Sequence, residues 1–176
     1  MEFSLVNLVL RGLQFLWCLL LVALLGNVIA NEINASSSAN AAINFSMFVA
    51  ILAWIATIYG FLTVFVPAVQ VYIAQLVLDG LATLFVFIDA IVLAAKIRAV
   101  NCSNLNADKL PRNYIAWGSA NDEKRCREIQ ASTAFMWFLF ACFAASLFFT
   151  WKDGRRGGLG GGSFVSSRPS MAQVGV

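Results

Sequence analysis

AVQVYIAQLVLDGLATLFVFIDAIVLAA, residues 68–95, decides the fold. Its only charges are Asp79 and Asp89. A helix needs about 20 mostly apolar residues to cross the ~30 Å hydrocarbon core of a bilayer. Lipid offers backbone groups no water, so such a stretch spans as a helix. Working outward, residues 12–30, 43–66 and 131–151 carry no charge at all and reach or approach the same length. Four spans in one short chain predict an all-α membrane protein, a four-transmembrane-helix bundle over residues 1–151. A Gly- and Ser-rich tail over 152–176 is expected to be disordered.

Composition agrees. The 176 residues are 60% hydrophobic and 12% charged, against roughly 25% charged in soluble domains. Fifteen Phe and five Trp suit lipid contact and interfacial belts. A net charge of +3, with no basic stripe interleaved with aromatics, argues against nucleic acid as a partner. The chain has no His, which removes the commonest general base and metal ligand. None of its four Cys forms a C-x-x-C pair. The Gly-rich run 157–162 follows no strand and opens no helix, so it is no phosphate cradle. The reading is a non-enzyme with no catalytic residues, no cofactor and no metal.

A cleaved signal peptide is the alternative for the first span, since Val28-Ile29-Ala30 offers a small-residue cleavage context, but its apolar run exceeds a usual signal core. The span is expected to be retained. Pro67 ends the second span and leaves a short turn to the third. Residues 99–121 form the one large loop. Asn121 reads as a helix N-cap, with Asp122 and Glu123 in the first turn, so the last helix begins about two turns before its apolar run.

Counting Lys and Arg favours a cytoplasmic large loop, seven to five. Three features oppose that count. The first span has Arg11 on its N-terminal flank and Glu32 on the other. Two glycosylation sequons, at Asn34 and Asn101, fall in loops that share one side. Cys102 and Cys126 share that side too, where disulfides persist. Both termini are therefore expected in the cytoplasm. Cys102 follows span three and Cys126 precedes span four, and antiparallel neighbours bring such positions together. A disulfide is expected, with two free thiols as the alternative. Cys18 and Cys142 lie within spans and read as small apolar residues.

Asp79 and Asp89 are the expensive residues, since an intramembrane acid costs about 2.5–3.5 kcal/mol on insertion scales. Ten residues place them about 80° apart around a helix, so both can face the interior. One reading is a proton or ion relay. The favoured one is hydrogen bonding to Ser, Thr or Asn of a neighbouring helix, since no basic partner lies within any span. On that reading Asp79→Asn is expected to be tolerated. The small-residue pairs Gly26 with Ala30, Ala56 with Gly60, and Ala141 with Ala145 are candidate helix-packing positions, within the bundle or between copies in a homo-oligomer. Lys152, Arg155 and Arg156 are candidate contacts to anionic inner-leaflet lipid.

From span three onward the chain resembles a known family. The residues that carry the likeness are Leu78-Asp79, Ile97-Arg98-Ala99, Cys102, Arg125-Cys126-Arg127, Gln130-Ala131, and in the tail Gly162-Ser163-Phe164 and Gln173-Val174-Gly175-Val176. They resemble the fungal non-classical export protein 2 family, MARVEL-domain tetraspans. Asp89 is outside that pattern. The resemblance implies a multi-pass plasma-membrane protein with cytoplasmic termini, resident in eisosome-associated furrow domains. It implies sphingolipid and sterol as lipid partners, eisosome scaffold proteins as protein partners, and roles in membrane organisation, sphingolipid response and leaderless export. An oligomeric channel or carrier using Asp79 and Asp89 is the alternative.

Overall fold

A computed structural model describes residues 2–66, 71–98, 100–105, 110–111 and 113–156. It contains α1 (Glu2–Ala30), α2 (Ser37–Phe65), α3 (Tyr72–Ile97) and α4 (Asp122–Arg156). At 1.5 Å rise per residue, even the 26 residues of α3 reach roughly 39 Å, enough to cross the core with polar ends to spare. All four helices are long and apolar enough to span a membrane.

Each helix packs on two neighbours: α1 on α2 and α4, and α3 on α2 and α4. The result is a four-cornered antiparallel bundle. The described parts of the connections 31–36 and 98–121 lie at one end, here called the loop end; the start of α1, the end of α2, the start of α3 and the end of α4 lie at the other.

The distribution of side chains is that of a membrane bundle. Large apolar residues such as Leu16, Phe48, Ile55, Leu84, Ile91 and Phe138 face outward. Inward positions on α2 are mostly small, with Ala39, Ala42, Ser46, Ala50, Ala53, Ala56 and Gly60 buried in register. Without a hydrophobic force between helices in lipid, small residues that let backbones approach are what hold spans together. Trp17 stacks against both Phe135 and Phe138, with ring centroids 5.3 Å apart in each case.

Helix ends extend past the apolar runs because polar residues cap them. Ser36 accepts a hydrogen bond from the Ala39 amide at 3.2 Å and starts α2. Asn121 accepts from the Lys124 amide at 3.0 Å and starts α4, with Asp122 and Glu123 in the first turn. Lys96 sits in the last turn of α3, where it complements the helix dipole. Helix boundaries differ from the expected spans on every helix: α2 begins at Ser37 and not at 43, and α3 runs Tyr72–Ile97 and not 68–95. Helix α1 begins at Glu2, so Arg11 lies inside it and not on a flank. Helix α4 runs through residues 152–156, which were assigned to the tail. The rest of that tail, with the turn at Pro67 and residues 106–109, falls outside the described residues.

Candidate functional site: polar clusters inside the bundle

The charges that a span should exclude are gathered in its interior. On α1, Arg11 is 3% exposed; on α3, Asp79 is 1% exposed. Arg11 Nη1 donates to Asp79 Oδ1 at 2.8 Å and Nη2 to Oδ2 at 2.5 Å, a bidentate pair. Nη1 also donates to Gln14 Oε1 at 2.9 Å, and Gln14 Nε2 donates to Ser146 Oγ of α4 at 2.9 Å. Helices α1 and α3 sit on a diagonal and do not otherwise pack together. The ion pair therefore crosses the bundle axis and joins corners that apolar packing leaves apart.

The fourth helix contributes an absence. A Cβ added to Gly60 of α2 would collide with the Arg11 guanidinium. Glycine here clears a path for the arginine to reach Asp79. Nearby, Thr63 donates to the Gly60 carbonyl at 2.8 Å.

Asp89, ten residues further along α3, lies in a different setting. It is fully buried, its Oδ1 lies 2.7 Å from Ser46 Oγ of α2, and that same hydroxyl lies 3.0 Å from the Ala42 carbonyl. Asp89 Oδ2 has no hydrogen-bond partner among the described residues. The buried interior also holds Leu21, Ala53, Val86, Met136, Leu139 and Phe143, with Cys18 Sγ 3.9 Å from Thr57 Oγ1. Among the described residues no chain of polar side chains links Asp79 to Asp89.

The loop end forms a tied lid. Cys102 and Cys126 are joined by a disulfide, with Cα atoms 5.7 Å apart. Tyr114 donates to the Ile97 carbonyl at 2.6 Å, and burial pushes its phenol above its ordinary pKa, so it remains a donor. Gly118 accepts from the amides of Ile33 (2.8 Å) and Asn34 (3.2 Å), sewing the large loop to the first. Its φ of +97° and a clash with the Ala35 backbone for any added Cβ require glycine there. Arg125 is 2% exposed, donating to the carbonyls of Ile115 (3.2 Å) and Val28 (3.4 Å). Val28 is in the last turns of α1, so a cation from α4 meets the negative end of that helix. Asn34 and Asn101, the sequon asparagines, are exposed at this end.

Several sequence-based assignments change. Asp79 does have a basic partner inside a span, because charge-free counting ended span one at Gly12 and left Arg11 outside. An arginine whose guanidinium is matched by a carboxylate is cheap enough to bury, so the helix continues through it. The flank charge used for orientation is thus neutralised, and Asp79→Asn leaves a buried cation without its counter-charge. Of the small-residue pairs, Ala56 and Gly60 are buried in the α2 stripe, but Ala30 and Ala141 are exposed, and Gly26 and Ala145 are half-buried. Of the pair Ala141 with Ala145, only Ala145 is partly covered by the bundle. Lys152 is half-buried at the end of α4, while the side chains of Arg155 and Arg156 lie outside the described residues. Among the described residues no group of three His, Cys, Asp or Glu is placed to hold a metal. Sequence reasoning missed Gln14, Ser146 and Ser46; the signal that would have found them is that polar residues in a span seek one another.

Four apolar spanning helices around a closed polar interior define a tetraspan membrane domain. Residues 4–149 match the family model of MARVEL, the membrane-associating domain, and the chain belongs to that family. It is similar to non-classical export protein 2 of Saccharomyces cerevisiae, 31% identical over 96% of this chain and 92% of that one. It is likewise similar to non-classical export protein 2 homolog 1 of the same yeast, 31% identical over 94% and 91%. Non-classical export protein 102 of Candida albicans is 37% identical over 93% and 91%. No solved structure matches the chain.

Proposed function

We propose that this protein is a non-enzymatic organiser of the plasma membrane, acting by lateral association and lipid preference. The setting would be eisosome-associated furrow domains linked to sterol and sphingolipid, with sphingolipid sensing and a part in non-classical protein export. The observation that carries the reading is the inside-out partition of side chains: the Arg11–Asp79 charge is closed within the bundle and the outer face is left to Leu, Ile and Phe. Such a surface has lipid and other spans as its partners. The family supports a role within the membrane, and the names of the relatives support the export role. Both termini are cytoplasmic in this proposal. The cationic stretch Lys152, Arg155 and Arg156 then meets the anionic inner leaflet, at about 1 kcal/mol per charge. Self-association would use outward small residues such as Ala141, and scaffold proteins of the furrows would be recruited by the tail.

The test is imaging of a tagged chain in yeast. Stable furrow-like patches that redistribute when sphingolipid synthesis is blocked are expected; uniform distribution, unchanged by the block, would sink the proposal. The unpartnered Asp89 oxygen favours a second reading, an oligomeric ion or proton path. Flux through reconstituted vesicles that Asp89→Asn abolishes would promote it.

A further inference from the structure

Between α3 and α4, toward the end where α3 starts and α4 finishes, a groove of about 400 Å³ opens on the lipid-facing side. Leu76 and Thr83 form its α3 wall; Phe140, Ala144, Leu147, Phe148 and Trp151 form its α4 wall. Gly80 lies on the same face of α3 as Leu76 and Thr83, and a Cβ there would meet nothing within 4 Å. Thr83, the one hydroxyl in the lining, donates to the Asp79 carbonyl at 2.6 Å and so turns back on its own helix.

The groove has a direction and a length. From Phe140 to Trp151 is eleven residues of helix, roughly 16 Å, which is about half of the ~30 Å hydrocarbon core. One leaflet's depth of hydrocarbon fits along it. At mid-bilayer it is closed by Phe87 and Phe140, whose ring centroids lie 5.0 Å apart. At its mouth, Trp151 marks the headgroup level, and Lys152 follows it.

We propose that this groove seats one acyl chain of an anionic phospholipid from the leaflet at the end where α4 finishes, its headgroup against Lys152. The proposal rests on the reading that the bundle acts through lipid preference and gives that preference a place. Charge decides between occupants. A sterol would fill an apolar slot but brings only a neutral hydroxyl, with no charge to complement Lys152, the residue that follows Trp151. A phospholipid with a negative headgroup satisfies wall and mouth together.

Full-length protein in nanodiscs of phosphatidylcholine, phosphatidylserine and sterol provides the test. A phosphatidylserine probe carrying a diazirine midway along one chain is expected to label peptides spanning Phe140–Trp151. Native mass spectra should retain one phospholipid per chain, with phosphatidylserine enriched several-fold over phosphatidylcholine. Gly80→Leu and Ala144→Leu fill the groove and should each reduce retention several-fold. Lys152→Gln should keep the lipid but erase the headgroup preference, and the outward Ala141→Leu should change neither. Labelling elsewhere, sterol in place of phospholipid, a second copy of the chain over the groove, or retention unaffected by both filling variants would each overturn the proposal. If both filling variants misfold, judged by loss of the Cys102–Cys126 link, the label map on the unaltered chain decides. Clustering in giant vesicles is read separately. Clustering lost with labelling intact refutes the organiser role and spares the groove; labelling lost with clustering intact does the reverse.

Discussion

Removing one partner of the Arg11–Asp79 pair should be the most damaging polar substitution in this bundle. Asp79→Leu leaves a guanidinium that is 3% exposed facing only Gln14 Oε1. Breaking a buried pair in this way costs about 3–5 kcal/mol. In lipid the unfolded reference state also finds partners for a stranded charge, so the lower end is expected, about 3 kcal/mol, or more than a hundredfold in the folding equilibrium. Asp79→Asn keeps one acceptor oxygen but no charge and should fall only slightly short of that. The paired apolar replacement, Arg11→Met with Asp79→Leu, removes both charges and should return to within about 1 kcal/mol of the native chain. Unfolding in mixed micelles, followed by fluorescence of Trp17 between Phe135 and Phe138, measures all four corners of the cycle. A coupling below about 0.5 kcal/mol would mean that the two residues act independently and that the diagonal tie does not hold the corners together. Gly60→Ala sharpens the case. It should cost about 1–3 kcal/mol in the native chain, where the added Cβ strikes the guanidinium, and much less in the apolar double variant.

Four further outcomes follow from the same geometry. Asp89→Asn should cost under about 1.5 kcal/mol, since its described partner is a neutral hydroxyl, and the same unfolding assay should rank it well below Asp79→Asn. Cys102→Ser should lower stability by about 3 kcal/mol for a link with sequence separation 24, visible as an equal loss when the native protein is reduced. Gly118→Ala should raise hydrogen exchange at the Ile33 and Asn34 amides, with a cost of about 1–3 kcal/mol for the strained backbone. Ala141→Leu should leave monomer unfolding unchanged because the position is exposed, so any drop in cross-linked oligomers would locate a contact between copies.

The spans were legible because lipid imposes a rule that acts residue by residue: a charge-free run of sufficient length has one spanning solution. The ends were less so. The polar caps Ser36 and Asn121 extend α2 and α4 beyond their apolar runs, and only Asn121, followed directly by two acids, announced itself. The charged cluster was illegible for a physical reason. Arg11 and Asp79 are 68 residues apart, and each looks like an error in its own window. Only the pair makes sense, and pairing is a property of the bundle. A stricter use of burial cost would have found it: an acid deep in a span needs a partner, and Arg11 follows Leu8-Val9-Leu10, which already reads as membrane. The small-residue pairs were legible only as candidates, of which the structure buries Ala56 and Gly60. Spacing alone places Ala141 and Ala145 on one face without saying which way it points, and Gly60 is small for the sake of an arginine on another helix.

The 68 residues between Arg11 and Asp79 also set a problem of timing. Helix α1 is made first, and its arginine then has no carboxylate from α3 to meet. At about 5–20 residues per second, synthesis leaves it waiting roughly 3–14 s before Asp79 exists. During that interval the cheap position for a long cationic side chain is at the membrane surface, reached by snorkelling, which holds α1 shallower than its final depth. The buried place of the guanidinium beside Gly60 becomes favourable only once the Asp79 carboxylate is there to meet it. The first helix is thus inserted provisionally and seated only when the third arrives. A nascent chain that stops short of α3 carries an unmet charge in its membrane segment, a mark by which quality control can tell unfinished protein from finished.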